Sequence, residues 1–139
     1  MDRLIKTVLG EDAIEKLEEF TECPIDLLSH LSKKYKEYFD KIKFKIGKGY
    51  SRIYKCSVDG IIYEIHTYQG EHEEYIIFPN IGVCSCRTNY RLDRLKGLIC
   101  HHIIGFTIDY ILGRVIEVKY PSTDIFTLID DFATFLQIK

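Results

Sequence analysis

Three cysteines and two adjacent histidines lie close together in the second half of the sequence. They follow the order Cys84-x-Cys86, a spacer of thirteen residues, and then Cys100-His101-His102. Thiolate sulfur and imidazole nitrogen are ligands that suit zinc, which takes four of them in tetrahedral structural sites. The spacing therefore predicts one zinc ion held by three cysteines and one histidine.

Two kinds of backbone must position these ligands. If the first pair lies on an extended segment, Cys84 and Cys86 emerge on the same face, because side chains alternate along a strand. Residues two apart on a helix point in different directions, so we expect Cys100 at or just before a helix start and His102 in the first turn. Backbone N–H groups there favour the Cys100 thiolate. His101 stays open as an alternative fourth ligand.

A shell of four protein ligands has no open position for water, so the predicted zinc is structural and the protein is not an enzyme. A divalent ion among three thiolates leaves the site with about one negative charge. Basic residues of the spacer can offset that charge and can also contact the phosphates of nucleic acid. These residues are Arg87, Arg91, Arg94 and Lys96.

Together, the Cys84-x-Cys86 pair, the spacer and Cys100-x-His102 running into an apolar helix resemble the SWIM zinc-binding domain. The resemblance covers roughly residues 53–113 and implies that a β-hairpin carries the first pair, that a helix start carries the second, and that His102 is the fourth ligand. As a small free-standing chain, it is most similar to SWIM members of recombination-mediator complexes of the Shu type, whose relatives occur in archaea. Those relatives often have alanine three residues after the ligand histidine, where this chain has Gly105.

The resemblance implies a non-catalytic subunit in homologous recombination and DNA repair. Its partner would be a RecA/RadA-type recombinase paralogue, which would supply the ATPase that this chain lacks, and the pair would act on single-stranded DNA. Two alternatives stay open. One is a stand-alone nucleic-acid-binding zinc module, and the other is a thiol redox or metal-handling protein that uses Cys84 and Cys86. We expect no membrane partner and no small-molecule substrate.

Length and composition indicate one globular domain in a reducing compartment. The chain has 139 residues, of which 46% are hydrophobic and 29% charged, enough to bury a core without disulfides. Its five cysteines are odd in number and clustered, which favours metal over a disulfide framework. The sequence shows neither a signal-peptide pattern nor an apolar run long enough for a bilayer, so we expect a cytoplasmic protein, associated with the nucleoid if the source is prokaryotic.

The hydrophobic pattern predicts an α+β fold in a single domain, with a helical part (1–43), a SWIM-like zinc-binding part (44–113) and a C-terminal part (114–139). Apolar residues recur at helical spacing over Leu4–Phe20 and Pro24–Ile42. These segments predict an N-terminal helical hairpin that covers one face of the sheet.

The period then changes to that of strands. The pattern predicts an antiparallel β-meander with a turn at Asp59-Gly60 and a strand over Tyr75–Phe78, which leads into the Cys-x-Cys zinc hairpin. A helix over Leu98–Leu112 is apolar nearly all round and is therefore expected to be central. A strand over Arg114–Tyr120 and a last helix after Pro121 complete the prediction.

Basic residues are concentrated in one segment of the chain. Residues 33–55 hold nine Lys or Arg against two acidic residues, whereas residues 1–32 hold three against eight. The tyrosines interleaved in the basic segment can stack on bases while the lysines follow a phosphate backbone. A solvated lysine face on a chain of net charge −2 is the simpler interpretation.

Overall fold

The computed structural model describes residues 1–58, 60–80, 82–86 and 99–119. The basic spacer residues Arg87, Arg91, Arg94 and Lys96 and the last helix predicted after Pro121 lie outside the described residues. The described helices are α1 (Asp2–Leu9), α2 (Leu17–Glu22), α3 (Pro24–Tyr35), α4 (Glu37–Ile46) and α5 (His101–Ile111), with a 3-10 helix at Glu11–Lys16. The described strands are β1 (Tyr50–Val58), β2 (Ile61–Gln69), β3 (Glu74–Phe78), β4 (Val83–Cys84) and β5 (Ile116–Lys119).

The strands form one mixed sheet in the order β4-β3-β2-β1-β5. Neighbours from β1 to β4 pair antiparallel, which confirms the predicted meander, whereas β5 pairs parallel with β1. Among the described residues, helices and strands occupy separate parts of the chain, apart from α5, which lies in sequence between the two edge strands β4 and β5. The predicted α+β class is confirmed.

Helix α5 forms the middle layer of the fold. It packs on β1 to β4 with one side and on α1, α2 and α4 with another, and Ile104, Phe106 and Thr107 are fully buried. A helix that is apolar all round must be covered on both sides, and this explains the central position of α5. The N-terminal helices, expected against the sheet, therefore lie mainly on α5. Among the described residues, no helix is long and apolar enough to cross a membrane.

A break at Lys36 divides the helix predicted over Pro24–Ile42, so that prediction was wrong in its continuity. Lys36 has φ 53°, in the left-handed region that ends a helix. The break lets α3 pack on α1 and α2 while α4 packs on α5. Two nearby tyrosines hold the two helices in place. The Tyr35 hydroxyl of α3 donates to a carbonyl of α1, and the Tyr38 hydroxyl of α4 donates to the Ile99 carbonyl over 2.6 Å.

The ring of Tyr68 in β2 fills a narrow slot between α5 and the connection from α4 to β1. Tyr68 is 1% exposed, and its hydroxyl donates to the Ile46 carbonyl over 2.7 Å. A Cβ added at Gly105 would lie 2.7 Å from carbons of this ring, and a Cβ at Gly49 would overlap the phenol group. The slot therefore requires glycine on both sides.

We expect Gly105→Ala to destabilise the protein by at least about 2 kcal/mol, because the added methyl group collides with a ring that cannot move. Alanine normally stabilises a helix interior relative to glycine, so the sign itself is diagnostic. The measurement is urea unfolding followed by circular dichroism.

Gly47→Ala is the matched control, since a Cβ there meets its nearest atom at an ordinary 3.7 Å. It should be neutral or stabilising by less than about 1 kcal/mol. If Gly105→Ala proved as harmless as the control, the slot would not be rigid. If it lowered the stability equally in a Tyr68→Ala background, the Tyr68 ring would not be the cause.

Candidate metal centre

The register of the sheet turns Cys84 toward α5. Ile53 of β1 pairs with His66 of β2, His66 with Ile77 of β3, and Ile77 with Cys84 of β4. Residues directly opposite one another in a sheet share a face. The His66 ring contacts the Phe106 ring of α5, with 5.6 Å between centroids, so the whole row faces the helix.

Ser85 fixes the segment that carries the first two cysteines. The Ser85 backbone N–H donates to the Ile76 carbonyl over 2.9 Å, and the Ile76 N–H donates to the Ser85 hydroxyl, also over 2.9 Å. Both bonds hold the serine against β3, so Cys84 and Cys86 share the opposite side. The Cys86 N–H in turn donates to the Cys84 sulfur over 3.5 Å.

The second pair lies at the start of α5, as predicted. Cys100 is extended, with φ −63° and ψ 151°, and the helix begins at the next residue. His102 is therefore in the first turn. The backbone N–H of Ile103 favours the Cys100 thiolate, which is the role expected of a helix N-terminus.

A cross-strand pair of tyrosines positions the imidazole of His102. Tyr75 of β3 stacks on it at 4.0 Å between centroids with an interplanar angle of 25°, and Tyr68 of β2, its partner in the sheet, lies at 5.9 Å. The orientation of this ligand therefore depends on the same tyrosine that sets the packing of α5.

The four ligand atoms of Cys84, Cys86, Cys100 and His102 all lie within 4.8 Å of one another, and all four residues are buried. Nδ1 of His102 lies 3.7 Å from the Cys84 sulfur and 4.0 Å from the Cys100 sulfur. Bonds of about 2.3 Å to sulfur and about 2.0 Å to nitrogen put the corners of a tetrahedral zinc site roughly 3.5 to 3.8 Å apart. The cluster can therefore hold a metal ion of this kind after a small contraction.

Crowding of three buried thiols separates their pKa values. Hydrogen bonds from Cys100 and Cys84 lower the pKa of Cys86 well below its ordinary value. Hydrogen bonds with Cys100 and Cys86, and then burial, raise the pKa of Cys84. The contact with Cys84 favours the Cys100 thiolate, but the contact with Cys86 and burial outweigh it and raise the pKa of Cys100 to about 12. Only a bound cation would allow all three to deprotonate together.

His101, the alternative ligand, is adjacent to the cluster and does not belong to it. Its ring packs against the ring of His102 at 4.0 Å between centroids, but the group of possible metal ligands contains His102 alone of the two. Burial, His102 and Lys45 lower the pKa of His101 to about 4. His101 is therefore a neutral neighbour of the site near pH 7.

The other two cysteines, Cys23 and Cys56, lie outside the cluster and form no disulfide. Cys56 is 1% exposed and is a packed thiol, whereas Cys23 is only half-buried. Sequence reasoning missed Ser85 and Tyr75. The middle residue of an extended Cys-x-Cys segment must face away from the two cysteines, so the sequence alone could have identified Ser85. Tyr75 is recognisable only from the pairing of β2 with β3.

No family model matches this chain, and neither a curated protein nor a solved structure matches it. The resemblance to the SWIM domain therefore rests on the sequence pattern of the four ligand residues alone.

We expect Cys100→Ser to reduce bound metal from about one ion per chain to well below half, because a hydroxyl replaces a thiolate ligand. The unfolding midpoint should fall by about 10 °C or more as the link between β4 and α5 is lost. Elemental analysis and calorimetry give the two quantities. Cys56→Ser is the control, since it removes a buried thiol outside the cluster and should keep the metal. Full metal content in Cys100→Ser would contradict the ligand assignment.

The two histidines can be separated in the same way. His102→Gln should weaken metal binding by at least about a hundredfold, whereas His101→Gln should change it by less than about tenfold. Competition with a chromogenic chelator measures both affinities. Loss of binding in His101→Gln with retention in His102→Gln would reverse the assignment of the fourth ligand.

Proposed function

We propose that this chain is a SWIM-type zinc-binding protein that holds one structural zinc ion and acts by binding. The supporting observation is the convergence of four buried ligands from β4 and the start of α5. Three thiolates and one imidazole favour zinc over the hard cations that prefer oxygen. Because protein atoms supply all four corners, the ion has no open position for water or substrate.

Zinc would anchor the weakest edge of the sheet. Strand β4 has only two residues, and β3 is its sole described neighbour. So short an edge strand gains little from its own hydrogen bonds. A metal bound to Cys84 and Cys86 on one side and to α5 on the other adds its binding free energy to the stability of this edge.

We further propose that the protein is a non-catalytic subunit that pairs with a RecA/RadA-type recombinase paralogue in recombination and repair. The ligand pattern supports this assignment by resemblance. A mainly apolar cavity of about 490 Å³ between α3, α4, α5 and the start of β1 supports a protein partner. Leu28, Phe44 and Tyr50 line it and are 43%, 72% and 40% exposed, as is typical of a contact surface.

The alternatives differ in what the isolated chain would do. A stand-alone nucleic-acid-binding module would bind single-stranded DNA with an affinity that falls as salt rises, and it would not co-purify with a recombinase paralogue. A redox protein would oxidise Cys84 and Cys86 to a disulfide and hold no metal, and the lowered pKa of Cys86 is the observation in its favour.

We expect the chain to co-purify with the recombinase paralogue of its own source when the two are co-expressed, and Phe44→Asp to reduce that recovery at least about tenfold. A charge in the apolar cavity disrupts the contact, whereas zinc content should stay the same. The control is Ile62→Asp, an equally exposed side chain at 66% on the β1–β2 hairpin. Equal recovery of both variants, or no recovery of the unmodified chain, would contradict the proposed partnership.

A further inference from the structure

A second cavity, of about 480 Å³, lies beside the metal centre, between α4, the turn from β2 to β3, and the first turn of α5. Cys86, Cys100 and His102 form its floor. We propose that this groove binds a nucleotide unit of single-stranded nucleic acid through its phosphate and its base. Its volume lies in the range of small-ligand sites. The inference rests on the proposed metal centre, which forms the base of the groove.

Two lysines supply the phosphate contact. Lys41 and Lys45 are four residues apart on α4, so they lie on the same face of the helix, and both line the groove. Among the described residues, neither has a carboxylate within 4.0 Å. Lys43, between them in sequence, instead lines the apolar cavity and pairs with Asp40 over 3.4 Å. The helix therefore places two ammonium groups, unpaired within the described residues, along one cleft.

In the described part of the chain, the acidic groups near the groove are already engaged. Glu71 at its rim pairs with Lys48 over 3.7 Å, and the Tyr75 hydroxyl donates a hydrogen bond to Glu73. Residues 41–48 hold four lysines and no acidic residue. With zinc, the floor carries about one negative charge, so an anion binds at the lysine wall and not at the metal.

Aromatic side chains form the other walls and favour a nucleotide over a phosphorylated peptide. Tyr38, His72, Tyr75 and His101 all line the groove. Tyr38 is fixed by its hydrogen bond to the Ile99 carbonyl, and Tyr75 by its stacking on the metal-site imidazole. Rigid aromatic rings beside a cationic wall are the common arrangement for binding single strands without sequence preference. A phosphopeptide offers the same anion without a planar base.

The test uses the zinc-loaded full chain and a fluorescein-labelled oligothymidylate of about 20 nucleotides, followed by fluorescence anisotropy at several salt concentrations. The double variant Lys41→Gln/Lys45→Gln should weaken binding at least about tenfold. It should also lower the slope of log affinity against log salt by about 1.4, because each phosphate contact to a single strand contributes about 0.7. The double variant Lys16→Gln/Lys33→Gln removes the same charge from exposed positions outside the groove and should stay within about twofold of the unmodified chain.

Adenosine monophosphate and a phosphoserine peptide serve as competitors. If only a longer unlabelled strand displaces the probe, the ligand is a strand. If the mononucleotide also displaces it, the groove is supported and can take a free nucleotide as well. Equal weakening of both double variants, no binding by the zinc-loaded chain, or displacement by the phosphopeptide but not the mononucleotide would overturn the inference. Zinc content is measured on every sample, so that the two proposals can fail separately. Lysine-dependent binding by a chain without zinc would refute the metal centre but not nucleotide binding in the groove. A zinc-loaded chain that binds no nucleotide would refute nucleotide binding in the groove but not the metal centre.

Discussion

The buried ring of Tyr68 sets how closely α5 approaches the sheet, and the metal centre depends on that distance. The ring packs on Gly105 of α5 and beside His102, and its hydroxyl bonds to Ile46 at the end of α4. One side chain thus connects the sheet, the central helix and the N-terminal layer. Because Gly105 has no side chain to collide with the Tyr68 ring, the first turn of α5 comes within reach of Cys84 and Cys86.

The most deeply buried part of the hydrophobic core and the cluster of possible metal ligands occupy different parts of this protein. Leu4, Leu27 and Leu31 are fully buried in the N-terminal helices, and Ile104 and Phe106 extend the same core through α5. The metal cluster lies at the border of that core, where the two-residue strand β4 has few contacts of its own. A small domain has a limited apolar core, so a metal bond is most useful at such an edge.

Helix α4 presents two different surfaces. Phe44 and Lys43 face the apolar cavity, whereas Lys41 and Lys45 face the groove beside the metal centre. In the proposed function, the first surface contacts a protein partner and the second contacts nucleic acid. Both surfaces start from one short helix held by the break at Lys36 and by the Tyr38 hydrogen bond. A binding subunit without catalytic chemistry gains from this arrangement, because it can hold a strand in a fixed position relative to its partner.

The sequence by itself determined what depends on local chemistry. Ligand types, their placement on a strand and at a helix start, and the end of α5 just before Gly113, whose φ is 70°, follow from residue identity and short spacing. Tertiary structure alone decided the parallel pairing of β5 with β1, the packing of the N-terminal helices on α5, the break at Lys36, and the stacking of Tyr75 on His102. These features join residues far apart in the chain, and periodicity shows only that a side is apolar, not which surface will cover it.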